Sequence, residues 1–411
     1  VEGSGHRVLL VHPTGNIASR NVALALAGAD LLAEFCTAVS WNSGGALSRV
    51  LPRSLQAELQ RRSFADELRP FLHTWPYREA GRLLATRLRW RSALAHETGT
   101  FCVDAVYRSL DRHAARRVRR STTLTAVYAY EDGAQALFQA AARAGIARYY
   151  DQPIGHWRAA RAILAEEAER LPEWAATITG LRDSAEKLAR KDAELRLADR
   201  ILVASTFTRR TLEGVDTGRA RIDLVPYGAP PVIRPARRAA GSRMRVLFVG
   251  SLSQRKGIAY VFEAVRRLGA QVELTLIGRP TAPCPALERE LGRHRWLESL
   301  PHAQLLEEMA AHDVLLFPSL FEGFGLVILE AMSRGLPVIA TPHTAAPDVL
   351  QDGVDGYIVP VRDVDAIVDR CERLRSDHGL HEAMRHAALA TAERWTWARY
   401  RQSIVETLCR E

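Results

Sequence analysis

Two α/β domains, each built on a parallel sheet, are what this sequence predicts, and three observations carry that expectation. The chain has 411 residues, more than one ordinary core takes and suited to two domains of about 150–200 residues each. Two strand-first units stand out, RVLLVHPTGN at 7–16 and RVLFVGSLSQRKG at 245–257. Each is a short apolar run, a glycine-bearing turn and then a stretch of helical period, which is how a doubly wound parallel half begins. Between them GAPPVIRPARRAAGSR at 228–243 is rich in Pro, Gly, Ala and Arg. It lacks apolar period, so 229–243 is predicted to link a domain at 1–228 to one at 244–391.

The elements follow in order. After the first strand, SRNVALALAGADLLAEF at 19–35 reads as one helical stretch. TLTAVYAY (123–130) is a predicted strand, GAQALFQAAARAG (133–145) a helix and IARYYDQP (146–153) a strand. A long helical region spans 156–198, and RILVAS (200–205) and RIDLVPYG (221–228) are strands. In the second half the helix IAYVFEAVRRLG follows 257, and VELTLIG (272–278), DVLLFPS (313–319), LPVIAT (336–341) and GYIVPV (356–361) are strands with helices between. Strands separated by helices in both halves give two parallel domains.

Composition narrows the classes. Apolar residues are 47% and charged residues 25% of the chain, a globular balance. No apolar run approaches the roughly 20 residues of a membrane span. The start, VEGSGHRVLLVHP, carries no basic-then-apolar leader. The five cysteines, Cys36, Cys102, Cys284, Cys371 and Cys409, are scattered, so a reduced cytoplasmic protein is expected. The net charge is +9, and only Lys187, Lys191 and Lys256 among the cations are lysine. A coding bias toward arginine explains that choice; the excess suggests an anionic partner. Residues 49–120 are arginine-rich and carry Trp75 and Trp90. A basic amphipathic surface of this kind can make peripheral contact with an anionic membrane. The abundance of arginine elsewhere favours a helix packed on its own domain with a solvated arginine face.

Chemistry concentrates in PSLFEGFGLVILE at 318–330. A strand ends, glycines loosen the backbone, and a helix starts near Leu326. Gly323 and Gly325 let a ligand approach the main chain closely, and backbone amides at a helix start hold hydroxyls or phosphate oxygens. Glu330 lies one turn beyond Leu326, where its carboxylate can take the vicinal hydroxyls of a ribose. Glu322 precedes the helix and can face a transferred sugar. Two glutamates alone are a weak signal; with GFG, after FPS and before AMSRGLPVIAT, they are a strong one. In GSLSQRKG at 250–257, Arg255 and Lys256 would set two cations beside a diphosphate.

Weaker candidates flank these. Gly15 and Asn16, in the turn after the first strand, could bring backbone amides to a phosphate. Asp151 and His156 lie at and just past a strand end, as Glu131 and Asp132 do after the preceding strand; capping turns explain each equally well. Lys187 and Lys191 sit on a polar helix. DVD at 363–365 looks like a DxD metal site, but N-capping is the better account. The histidines, His378, His381 and His386 included, suggest no metal cluster. No metal and no cofactor are expected.

Together these residues resemble the family 4 retaining glycosyltransferases of the GT-B fold, also called glycosyl transferases group 1. The resemblance is densest over about 245–360 and looser in RVLLVHPTGN, ADRILVASTFTRR and IDLVPYG; residues 49–120 have no counterpart. It implies two Rossmann-like domains facing a central cleft, the second binding a nucleoside-diphosphate sugar of UDP or GDP type and the first binding the acceptor. RWTWARYRQSIVETL resembles the family's last helix, so 392–411 should cross back to complete the first domain. Glu322 and Glu330 resemble the EX7E pair. Arg255 and Lys256 resemble the pair that holds the diphosphate. Gly323, Phe324, Gly325 and Leu326, with Gly278 at the end of LTLIG, would supply donor contacts, and Gly15 resembles the amino-domain phosphate loop. Many relatives carry a histidine at the end of the strand that here ends in Asp151; Asp151 or His156 would take that role.

The expected activity is metal-independent transfer of a hexose-type sugar to a sugar or lipid-linked hydroxyl acceptor, with retention, in envelope polysaccharide or glycolipid synthesis. A non-catalytic sugar-nucleotide-binding protein, or an epimerase or phosphorylase of the same fold, is the alternative. Nucleic acid is not an expected partner, because it would leave FEGFG unexplained.

Overall fold

The computed structural model describes residues 6–41, 59–60, 62–234 and 243–410. Residues 235–242 of the expected linker, and 49–58 and 61 of the arginine-rich segment, lie outside the described residues.

The first sheet has seven parallel strands in the order β3-β2-β1-β4-β5-β6-β7. They are β1 (Val8–Val11), β2 (Leu32–Thr37), β3 (Leu72–Thr74), β4 (Ala126–Tyr130), β5 (Ala147–Gln152), β6 (Arg200–Val203) and β7 (Arg221–Leu224). The second has six parallel strands in the order β10-β9-β8-β11-β12-β13. These are β8 (Met244–Val249), β9 (Val272–Ile277), β10 (Arg295–Leu297), β11 (Val314–Phe317), β12 (Val338–Ala340) and β13 (Tyr357–Ile358). β1, β4, β8, β11 and β12 are buried along their whole length or nearly so, as strands covered on both faces must be.

Three strands depart from the sequence reading. The helix after β1 ends at Gly28, and the Leu32–Thr37 segment, read as its continuation, is β2. Pairing with β1 decides: Leu32, Phe35, Cys36 and Thr37 are buried with Ala33 and Glu34 half-exposed, and the ladder outweighs the helix propensity of Leu, Ala and Glu. β3 and β10 are three residues each and carry no readable period.

The region read as one helix over 156–198 is two helices, Trp157–Arg170 and Ala185–Leu197, separated by 3-10 turns that begin at Pro172. Proline cannot continue the ladder there. This detour joins the halves. Leu164, Trp174 and Ile178 enter the apolar cluster beside the second sheet, and Trp174 stacks on Phe262 at 5.8 Å. Glu167, fully buried, accepts from Gln254 Nε2, Tyr260 Oη and Arg362 Nε, each at 2.7 Å.

The chain also returns at its end. Thr396 caps the helix Trp397–Cys409, accepting from Arg399 N at 3.1 Å. That helix packs on Ile17–Gly28 of the first half. Arg401 donates to Asn21 Oδ1 at 2.9 Å, and Tyr149 Oη to the Leu408 carbonyl at 3.2 Å. The C-terminal helix thus crosses back onto the first domain, as expected.

Candidate functional site

The second sheet delivers its carboxyl ends to one place. β8 ends at Val249, a 3-10 turn Gln254–Lys256 follows, and Gly257 (φ +71°) starts the helix Ile258–Leu268. A Cβ on Gly257 would lie 2.1 Å from the Pro318 carbonyl oxygen. Only glycine therefore lets the GSLSQRKG loop lie against the loop that follows β11. The contact is locked by Leu320 N donating to the Arg255 carbonyl at 2.9 Å and by Arg255 Nη1 donating to the Phe321 carbonyl at 2.7 Å. Gly278, at the end of β9, meets the same loop: a Cβ there would lie 1.7 Å from the Gly250 carbonyl oxygen. Its own polar groups are engaged, the amide by the Leu297 carbonyl at 3.0 Å and the carbonyl by Trp296 Nε1 at 2.9 Å.

These approaches bring together three residues far apart in sequence. Arg255 Nη1 donates to Glu322 Oε1, and Lys256 Nζ to Glu322 Oε2. Lys256 also sits 4.7 Å over the Phe317 ring. Glu322 is 7% exposed. Burial pushes its carboxyl up, but Lys256 and Arg255 outweigh that and hold it down at about 2. Burial lowers the Lys256 ammonium, against the pull of Glu322. The site is a compact cation–carboxylate–cation group with a net positive charge.

The following residues face the first domain. A Cβ on Gly323 would lie 1.8 Å from the Pro153 carbonyl oxygen, so two main chains from different domains touch here. The Gly323 carbonyl accepts from Ser205 Oγ and, at 2.9 Å, from Thr208 Oγ1. Phe324 is buried against Tyr227, with ring centroids 5.1 Å apart. Gly325 (φ +84°) and Leu326 begin the short helix Leu326–Met332. Glu330, inside it, pairs with His302 Nε2 at 2.9 Å, and that bond raises the His302 pKa.

On the first domain the candidate residues engage their own neighbours. Burial, aided by Arg20, lowers His12 to about 3, so its ring is neutral. His12 Nδ1 accepts from Gly15 N at 2.9 Å and from Thr14 N at 3.2 Å. The Gly15 amide, expected to reach a phosphate, is therefore spent on His12. Asn16 is an N-cap, its side chain accepting from Ser19 N at 2.8 Å. The loop still borders a cavity of about 490 Å³ lined by Thr14 to Ile17 with Arg20, Arg62 and Arg82.

Asp151 and His156 are both buried. Burial raises Asp151 to about 7, against the hydroxyls of Tyr128 and Tyr130; Tyr128 donates to it at 2.7 Å. Burial raises the hydroxyl of Tyr227, which packs on Phe324, and the Asp151 charge adds to that. His156 is locked otherwise: Nε2 is 3.2 Å from Asp192 Oδ1, and Nδ1 accepts from Arg158 N at 3.4 Å, capping the helix Trp157–Arg170. Both ring nitrogens of His156 are thus engaged within the first domain.

Most of the remaining candidates are engaged within the fold. Lys187 and Lys191, read as lying on a polar helix, are largely buried in an ion-pair network with Asp104, Glu131, Asp132 and Asp183. Glu131 accepts from Gln152 Nε2 at 3.1 Å. His378, His381 and Glu382 do gather, with ligand atoms within 4.8 Å, although His381 Nε2 already pairs with the Asp313 carbonyl at 2.8 Å. Asp363 caps its helix, accepting from Ala366 N at 2.8 Å. Ser205, Thr208 and Tyr227 were not singled out from sequence. The strand-then-STFT pattern at 205–208 is an N-cap signal that marks the first two.

Two parallel-sheet domains that meet at their strand ends, tied by a returning C-terminal helix, define the GT-B class of glycosyltransferase folds. Residues 243–377 match the family model described as Glycosyl transferases group 1, a span that contains the stretch where the resemblance is densest. Among curated proteins, the D-inositol 3-phosphate glycosyltransferase of Corynebacterium urealyticum is 32% identical over 221 residues, 47% of this chain and 52% of that protein. The match thus spans about half the length of such relatives. Among solved structures, sucrose-phosphate synthase from Thermosynechococcus elongatus superposes with a TM-score of 0.68 at 17% identity, covering 98% of each chain. Anabaena HepE in complex with UDP-glucose gives a TM-score of 0.59 at 17% identity, covering 98% of this chain and 99% of that one. Among the described residues no helix is long and apolar enough to cross a membrane.

Proposed function

We propose that this protein transfers a hexose-type sugar from a nucleoside-diphosphate donor to a hydroxyl acceptor, with retention of configuration. The observation that carries the reading is the Arg255–Glu322–Lys256 group at the strand ends, beside the domain seam. A diphosphate entering there exchanges with Glu322 as the partner of Arg255 and Lys256. Two cations then offset the charge that grows on the departing diphosphate, the service that fixed donors give a developing anion. Glu322, released from part of its pairing, is free to meet the sugar, and Glu330 takes the ribose hydroxyls in place of His302. The sugar C1–O bond to the β-phosphate breaks as the acceptor oxygen bonds to C1 on the same face, and the acceptor's proton passes to the leaving phosphate oxygen. Arg255 and Lys256 supply the positive charge for this step. The family match and the UDP-glucose complex of HepE support a nucleotide-sugar donor. The acceptor, a sugar or lipid-linked hydroxyl as envelope glycan or glycolipid synthesis requires, is read as bound by the first domain near the cavity beside Gly15.

Thermal-shift screening against UDP, GDP and ADP and their sugars identifies the donor, because the tightest ligand stabilises most. Labelled transfer to acceptor pools then tests catalysis. The Arg255→Ala/Lys256→Ala pair should lose transfer by at least about a hundredfold and lose the nucleotide-induced shift. Transfer at the wild-type rate by that pair ends this assignment. Nucleotide binding with no acceptor product, insensitive to Glu322→Ala, points to a binding protein instead.

A further inference from the structure

The helix Tyr77–Arg87 is amphipathic in the inverted sense. Its inward positions include Glu79, 1% exposed, which is paired with Arg62 and Arg82. Its outward stripe is apolar: Tyr77, Leu84 and Leu88, at spacings of seven and four, are 66%, 58% and 66% exposed, and Trp90 just beyond is 55% exposed. Residues seven and four apart share one helix face. Four of the nine large hydrophobic side chains that stand exposed among the described residues fall between 77 and 90, so this is a patch and not scatter. Its charge has one sign. Arg87, Arg89 and Arg91 are exposed around Leu88 and Trp90, and the only acid between 77 and 95 is the buried Glu79.

We propose that this face docks the protein on an anionic lipid bilayer. Exposed leucines and a tryptophan bordered by arginines match a surface whose anionic headgroups overlie acyl chains. Nucleic acid would use the arginines and leave Leu84 and Leu88 in water. A second copy meeting face to face would set Arg87, Arg89 and Arg91 against their own counterparts. The opposite side of the same helix holds Arg62 and Arg82 through Glu79, and both line the cavity beside Gly15. Docking would therefore bring that cavity close to the membrane plane. The proposal stands on the patch alone and does not require the donor assignment.

The test is co-sedimentation of the full chain with vesicles of phosphatidylcholine, or of phosphatidylcholine mixed with phosphatidylglycerol, at low and high salt. Binding is expected to the anionic vesicles and to weaken with salt. Leu84→Glu/Leu88→Glu should lose at least about tenfold in partitioning, and Arg87→Glu/Arg89→Glu/Arg91→Glu about a hundredfold or more. These side chains are exposed, so unchanged circular dichroism and melting temperature are expected and certify the fold. The proposal is overturned if wild type ignores the anionic lipid, if either variant binds as wild type does, or if light scattering finds a dimer that the leucine variant abolishes.

Discussion

Replacing Glu322 with Gln removes one negative charge from a group of three and leaves two cations facing each other in a buried place. Glu322 sits at about 2 against an ordinary value of 4.5, and each unit of difference corresponds to about 1.36 kcal/mol, so its ionised form contributes about 3 kcal/mol to stability at neutral pH. That agrees with the roughly 3–5 kcal/mol lost when one partner of a buried pair is removed. For a domain of this size the loss lowers the melting temperature by roughly 5–10 °C. Because the folded pKa is depressed, the contribution is fully present above about pH 4.5 and disappears as pH falls toward 2; the wild-type advantage should shrink to about 1.4 kcal/mol at pH 3. Calorimetry and urea titration across that range read the gap. A second arm adds nucleoside diphosphate. A bound phosphate supplies the counter-charge that Gln lacks, so the nucleotide should stabilise Glu322→Gln at least as much as wild type, while sugar transfer falls. A gap that does not change with pH, or weaker nucleotide binding by Glu322→Gln, would refute the view that Glu322 is a stand-in partner for Arg255 and Lys256.

Further outcomes are expected. Gly323→Ala sets a Cβ 1.8 Å from the Pro153 carbonyl oxygen, main chain against main chain; the domains must part there, with transfer reduced at least about tenfold and faster proteolysis at the seam. Asp151 is raised to about 7 by burial, so its stabilising neutral form is complete below about pH 4 and is lost as pH rises to 7. Asp151→Asn should therefore gain on wild type by roughly 2–3 kcal/mol between pH 5 and pH 8, measured by urea unfolding, and a constant difference contradicts the burial argument. Glu330→Gln should lower the His302 titration seen by NMR, because the Glu330 bond raises it, and should weaken the preference for ribose over 2′-deoxyribose donors by about tenfold; an unmoved His302 pKa dissociates the pair.

How far the sequence reached depends on what kind of force holds each part. Strands covered on both faces, such as β4 and β8, announce themselves as apolar runs between turns. β2 does not, because LLAEF has helical propensity and only pairing with β1 makes it a strand. In the candidate site, the residue types of Arg255, Lys256, Glu322 and Glu330 were legible as motifs. Their geometry was not: that both cations bond one carboxylate follows from a contact across 66 or more positions. Lys187 and Lys191 show the converse failure. Helical spacing reveals which residues share a face, but not that Asp104, Glu131 and Asp132 have come in over that face to bury it.

The arrangement also explains why so much of the site is main chain. At Gly257, Gly278 and Gly323 the space a Cβ would need is already filled by a carbonyl oxygen of Pro318, Gly250 or Pro153. Two of these approaches are within the second domain and clamp the Arg255–Lys256 turn against the strand ends; the third is between domains. A charged side chain on a free loop loses rotamer freedom when it binds, whereas Arg255 and Lys256 are held beforehand, by packing on one side and by Glu322 on the other. The cost of holding them is that a ligand must compete with Glu322. A diphosphate spreads more charge over two phosphoryl groups and can meet both cations at once, whereas a monophosphate concentrates its charge on one. Selectivity for diphosphate over monophosphate nucleotides should then originate in Glu322 itself, and Glu322→Gln should narrow the ratio of the two dissociation constants measured by calorimetry. A ratio that stays fixed would place the selectivity elsewhere in the cleft.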